Sequence, residues 1–110
     1  MSTVTLNRNC DFRRLYYKGK SYTNPALVVY VMPNSAGICR IGITVIKKIG
    51  NAVERNRCKR IIRAAYREVF PEISGNFDFV LVARSKTKYL KSTEVATILT
   101  DLLQKAGAIK

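Results

Sequence analysis

Arg55, Asn56, Arg57, Lys59, Arg60, Arg63 and Arg67 crowd into the stretch KKIGNAVERNRCKRIIRAAYREVF (47–70), with Lys47 and Lys48 at its head. On a helix successive residues lie about 100° apart. The cations then fan out across one side with Asn56 near their centre, while Cys58, Ile61, Ile62, Ala65 and Val69 form an apolar arc opposite. A surface with so many like charges repels itself unless counter-charge arrives from outside. A merely solvated face mixes signs to gain i,i+4 support, whereas only Glu54 and Glu68 interrupt this one, both near the apolar edges. The pattern favours polyanion binding over solvation.

Other chemistry has little to work with. The chain has no histidine, which removes the commonest general base and the commonest metal ligand. It also has no CxxC pair, no glycine-rich phosphate motif and no carboxylates paired at a useful spacing. Cys10, Cys39 and Cys58 are odd in number and far apart, and they read as reduced thiols, buried or half-buried. The first residues, MSTVTLNRNCDF, show no charged-then-apolar targeting pattern, so a cytoplasmic protein is expected.

The basic stretch must be held by a helix. Gly50 ends the preceding apolar run, and Asn51 with Glu54 three residues on forms a capping pair, so the helix is predicted to start at Asn51 or Ala52. Pro71 stops it. Its apolar arc needs a sheet or another helix as cover.

A chain of 110 residues suits a single domain, residues 1–110, that buries one core without disulfides or metal. Twenty Lys and Arg against seven Asp and Glu give a net charge of +13. That excess draws the protein to phosphate backbones or anionic surfaces. No membrane is expected as partner, because no 18-residue apolar run occurs and the basic helix lacks the Trp or Phe of interfacial helices.

Taken in order, Asn9 or Asp11 caps a short helix through Lys18, with Gly19 following it and Phe12, Leu15 and Tyr16 on its apolar side. Phe12 and Tyr16, spaced as they are, can be core residues or ligand contacts. Tyr17 departs from that stripe. Residues 20–24 form a loop or a short edge strand, and Pro25 opens the strand ALVVYVM. After a turn at 33–37, residues 38–46 alternate Ile41, Ile43 and Val45 with Arg40, Gly42 and Thr44, the period of a strand. Beyond Pro71, FDFVLVAR (77–84) is a further strand that can lie parallel to the preceding one. Arg84, Lys86 and Lys88 in the next loop either widen the basic surface or solubilise it. Ser92 caps a last helix with Val95, Ile98, Leu99, Leu102 and Leu103 on its core face. The fold class is α+β: a single sheet of three to four strands covered by helices.

KKIGNAVERNRCKRIIR, with its Arg55-Asn56-Arg57 core, resembles the signature of the bacterial ribonuclease P protein component. The likeness extends to Phe12 and Tyr16, to Tyr30 in a strand, to Val45-x-Lys47-Lys48 and to Ala83-Arg84. It implies the order α-β-β-β-α-β-α with a left-handed βαβ crossover, against the usual hand. It also implies a non-catalytic protein subunit of an endoribonuclease that removes the 5′ leader from precursor tRNA. The RNA subunit would hold the active site and its Mg²⁺, and the protein would supply no catalytic residue. Lys47, Lys48, Asn51, Arg55, Asn56, Arg57, Lys59, Arg60, Arg63 and Arg67 would contact ribonuclease P RNA. Arginine suits this because its planar fork pairs with phosphate and stacks on bases, and Asn56 can bond a base edge or a 2′-OH. Phe12, Tyr16 and Tyr30 would hold the single-stranded leader, and no obligate protein partner is implied. The rivals are an RNA-scaffold protein of similar charge and a small nuclease acting alone.

Overall fold

The computed structural model describes residues 3–6, 9–35 and 37–109. From the first helix onward the order is the expected one: α1 (Asn9–Lys18), β2 (Lys20–Asn24), β3 (Leu27–Pro33), β4 (Cys39–Thr44), α2 (Ala52–Val69), β5 (Phe77–Ala83) and α3 (Ser92–Lys105), preceded by a short strand β1 (Thr3–Thr5). With β1 the sheet has five strands, ordered β1-β4-β5-β3-β2. Three residues, Thr-Val-Thr, carry too little periodicity to announce a strand, and β1 exists because it pairs in parallel with β4.

β4 and β5 are also parallel neighbours. A parallel pair cannot be joined by a tight turn, so the chain must return across the sheet, and α2 makes that return. β5 is central and covered on both faces. Phe79 and Leu81 point to the side of α2 and α3, and Val80 points to the side of α1. This explains the apolar run 79–83 within it, since both faces of a covered strand are largely dry.

α1 crosses the other face. Leu15 is wholly buried there beside Val80, a burial worth about 1.5–3 kcal/mol. Gly42 allows the close approach: a Cβ at that position would stand 2.6 Å from Cζ of Phe12. Of the two cap candidates for α1, Asp11 lies inside the first turn, 3.7 Å from Arg14, and the side chain of Asn9 lies outside the described part. The predicted turn at 33–37 includes Ala36, which also lies outside it.

Asp78, fully buried on the α1 face, ties helix to sheet. Arg40 donates to it twice, through Nε at 2.7 Å and Nη2 at 2.8 Å; Asn34 Nδ2 donates at 2.8 Å and Arg14 Nη2 at 3.3 Å. The hydrogen bond to Asp78 raises the Arg40 guanidinium above its ordinary value. Arg40 and Asp78 are register partners on β4 and β5, so the ion pair is set by the sheet.

The start of α2 is built as the sequence predicts. Asn51 Oδ1 accepts from the Glu54 N–H at 2.9 Å, and Glu54 Oε1 accepts from the Asn51 N–H at 3.2 Å. Gly50 leaves room for the cap, since a Cβ there would press on the Glu54 side chain and displace its carboxylate. Lys88 completes the corner, donating to the Ile49 carbonyl at 3.0 Å and to Glu54 Oε2 at 3.3 Å. Lys88 is therefore a strut under the helix entrance, neither surface filler nor part of an open basic loop. Its neighbour Thr87 is buried and donates to the Ala26 carbonyl at 2.6 Å. At α3 the cap position falls on Lys91 in place of Ser92. The return contact is Glu94 Oε1, which accepts the Lys91 N–H at 3.1 Å, and a side chain that reaches back in this way works whatever residue precedes Ser92.

Asp78→Ala strands Arg40 and loosens α1, and is expected to cost about 2–4 kcal/mol in urea unfolding, discounted for the partial exposure of both arginines. Equal stability of variant and parent would show that the cluster contributes nothing to the fold. Hydrogen bonding from the Asn51 N–H, then from Lys88, holds the Glu54 carboxyl below its ordinary value of 4.5. A depressed carboxyl stabilises the fold above that value and loses its contribution as pH falls through the native one. The gap in urea midpoint between the parent and Glu54→Gln is thus expected to be full near neutrality and to close as pH falls below the ordinary carboxyl value and through the depressed native one. A pH-independent gap would refute this coupling.

Candidate nucleic-acid interface

α2 presents its two sides as the helical spacing requires. Cys58, Ile62, Ala65, Tyr66 and Val69 are buried against the sheet and α3, and Ile61 is half-buried. Tyr66 was not part of the expected arc; its ring enters the core edge-on to Phe79, at 6.1 Å between centroids. Burial raises the Cys58 thiol, as it does for an inert core cysteine. Cys39 is also buried, but Cys10 is exposed on α1, contrary to the expectation of burial, because it sits on the side of that helix turned from the sheet.

On the outer side Asn56, Arg57, Lys59, Arg60, Arg63 and Arg67 are exposed and Arg55 is half-buried. Among the described residues no carboxylate lies within ion-pair distance of any of these arginines or of Lys59, although Arg14, Arg40, Lys88 and Lys105 all have acidic partners. Lys47 and Lys48, also exposed, sit in a 3-10 turn (Lys47–Ile49) that delivers the chain from β4 to the capping box. Asn51 belongs to this group by position, but its side-chain oxygen is engaged in the cap, which leaves only the amide nitrogen for an outside partner. The arrangement is a cationic ridge that no carboxylate among the described residues neutralises.

The three aromatics predicted to act together are brought together. Tyr16 meets Tyr30 edge-on at 4.9 Å and Phe12 at 6.5 Å between centroids. The Tyr16 hydroxyl shares a 3.1 Å hydrogen bond with Thr44 Oγ1, which fixes the ring over the end of β4. Phe12 and Tyr30 are half-buried, and Tyr16 is 41% exposed. Beyond α1 the next register row of the sheet, Thr44, Val82 and Val28, is only half-covered. The result is an apolar groove with aromatic walls on the face opposite α2. Tyr17 points away, 90% exposed.

The groove and the ridge are neighbours through the chain: Thr44 ends β4 at the groove, and the next turn carries Lys47 and Lys48. Signals for the ridge were present in the sequence. The half-covered row of Thr44, Val82 and Val28 had none, because its exposure depends on where α1 crosses.

Among the described residues no helix is long and apolar enough to cross a membrane, and no three His, Cys, Asp or Glu side chains cluster as a metal site.

The Ribonuclease P family profile matches residues 1–107. The ribonuclease P protein component of Clostridium novyi is 43% identical over 104 residues, which is 93% of this chain and 92% of that protein. Among solved structures, the Staphylococcus aureus RNase P protein superposes with a TM-score of 0.85 at 34% identity, covering 99% of this chain and 100% of that one. The RNase P protein from Thermotoga maritima gives 0.81 at 31% identity, over 92% and 96% of the two chains. With a basic ridge, an aromatic groove and a fold shared over nearly its whole length, this chain belongs to the ribonuclease P protein family.

Proposed function

We propose that this protein is the RNA-binding, non-catalytic subunit of ribonuclease P, the ribonucleoprotein that removes the 5′ leader of precursor tRNA, and that its two surfaces divide the work. The observation that carries this reading is the α2 ridge of exposed cations without acidic partners. Such a ridge is relieved of self-repulsion by a phosphate backbone. In this reading Lys47, Lys48, Arg55, Asn56, Arg57, Lys59, Arg60, Arg63 and Arg67 dock on the RNA subunit, with Asn51 chiefly shaping the helix entrance. The arginine forks pair with phosphate oxygens and stack on bases, and Asn56 reads a base edge or a 2′-OH.

The groove of Phe12, Tyr16 and Tyr30 holds the leader. A base stacked on an aromatic ring contributes about 1–3 kcal/mol whatever its identity, which suits a subunit that meets many leaders. The RNA supplies the active site and its Mg²⁺. The protein's cations screen phosphate repulsion nearby, so that less Mg²⁺ is needed to hold the same RNA structure. The protein works in the cytoplasm on tRNA precursors.

Cleavage of 5′-labelled precursor tRNA by a bacterial ribonuclease P RNA, at low millimolar Mg²⁺ with and without this protein, tests the role. Rescue at the mature 5′ end is expected, and no rescue with a cognate RNA and folded protein would favour an RNA-scaffold role elsewhere. Alanine at Arg55, Arg57 and Arg60 together is expected to weaken binding to the RNA subunit at least tenfold, through lost phosphate and base contacts. Parent affinity should also fall by orders of magnitude between roughly 50 and 200 mM salt, as it does for about 6–10 phosphate contacts on a duplex. A flat salt response would rule out a phosphate-led interface. Tyr16→Ala removes an exposed ring with little core loss, and should lower affinity for precursor tRNA about tenfold while leaving mature tRNA unaffected. Equal losses on both RNAs would assign the ring to general binding.

A further inference from the structure

A second cleft lies on the other side of the sheet from the aromatic groove, between α2 and the edge formed by β1 and β4. Its volume is about 440 Å³, within the range of about 300–1,000 Å³ typical of ligand sites. One wall is apolar: Ile43 and Phe70 are half-buried, and Phe70 stacks on Tyr66 with centroids 5.6 Å apart and planes inclined by 29°. Lys59, Arg63 and Arg67, which share the cleft-facing side of α2 with Phe70, make its rim cationic, and among the described residues no acidic one lines it.

These three cations follow one another at i, i+4 and i+8, so their Cα atoms rise about 6 Å per step along the axis. A single-stranded phosphate backbone can follow such a row. A bare anion would satisfy the rim and leave the ring wall wet. A neutral apolar ligand would fill the wall and leave the rim repelling itself. A group that is flat and apolar in one part and anionic in another satisfies both, and an unstacked nucleotide is such a group.

We propose that this cleft receives an unpaired nucleotide of the RNA subunit, with its base against Phe70 and Ile43 and its flanking phosphates on Lys59, Arg63 and Arg67. The inference rests on the docking of α2 on that RNA. It adds to the phosphate-binding ridge a pocket that locks register, because a base must leave its stack to enter it.

The chain has no tryptophan, so Phe70→Trp installs a lone indole in the wall, whose emission a stacked base quenches. Ribonuclease P RNA, titrated into this variant without substrate, is expected to quench at least half of the emission in step with complex formation followed by gel shift. An abasic single strand should bind without quenching. Complex formation with unchanged emission would overturn the nucleotide site and leave the docking of α2 standing, and failure of the complex to form would overturn both. Quenching that appears only after precursor tRNA is added would assign the cleft to the leader, against the proposal. Equal quenching by the abasic strand would mean that only phosphate is bound there. Thr5→Glu, at the exposed mouth of the cleft and outside the core, checks the site without disturbing the ring wall. It is expected to weaken RNA-subunit affinity about tenfold, in the range of one lost stacked base, and a loss under twofold would count against the site.

Discussion

The parallel pairing of β4 with β5 is the constraint on which the rest depends. Two parallel neighbours need a crossover, and here the crossover is α2, the most basic element of the chain. Its apolar arc lies on the sheet because the crossover has to be packed there. Its cations therefore face outward as a group, on a helix that cannot rotate without exposing Ile62, Ala65 and Val69. The cationic ridge is thus a consequence of topology joined to a 3.6-residue period.

The capping corner makes the entrance of that helix rigid. Asn51 and Glu54 satisfy each other's backbone donors, Gly50 makes room for the carboxylate, and Lys88 arrives from the loop after β5 to neutralise it. The hydrogen bond to Glu54 in turn raises the Lys88 ammonium above its ordinary value, so this lysine stays charged and structural. One of the few acids of a +13 chain is spent on holding the helix start, and Asp78 is spent on holding α1. Among the described residues the ridge has no acid within ion-pair distance of its arginines or Lys59. The fold thus uses its scarce carboxylates at the helix start and under α1, away from the outer cations of α2.

The sheet separates two kinds of surface. On one face α1 covers only part of β3, β4 and β5, and the uncovered row becomes the aromatic groove. On the other face α2 and α3 cover the centre but not the β1–β4 edge, which leaves the cation-rimmed cleft. Each opening arises where a helix is narrower than the sheet it covers, and each is bounded by rings that the core holds in place.

By itself the sequence determined most of the elements and the distribution of charge along them. Asn51 and Glu54 marked the helix start, the alternation around Ile41 and Ile43 marked a strand, and the sign imbalance from Arg55 to Arg67 marked an exposed cationic face; all of these are local patterns, set by the period of a helix or a strand. Where elements meet was decided only by the tertiary structure. β1 is three residues that become a strand through their partner, Cys10 is exposed by the roll of α1, and Lys88 is a strut because its loop passes under the helix start. Asp78 holds Arg40 and Arg14 across separate elements, and Gly42 matters because Phe12 lies on it. Such contacts join residues far apart in the chain, and their energy depends on distances in space that no local periodicity encodes.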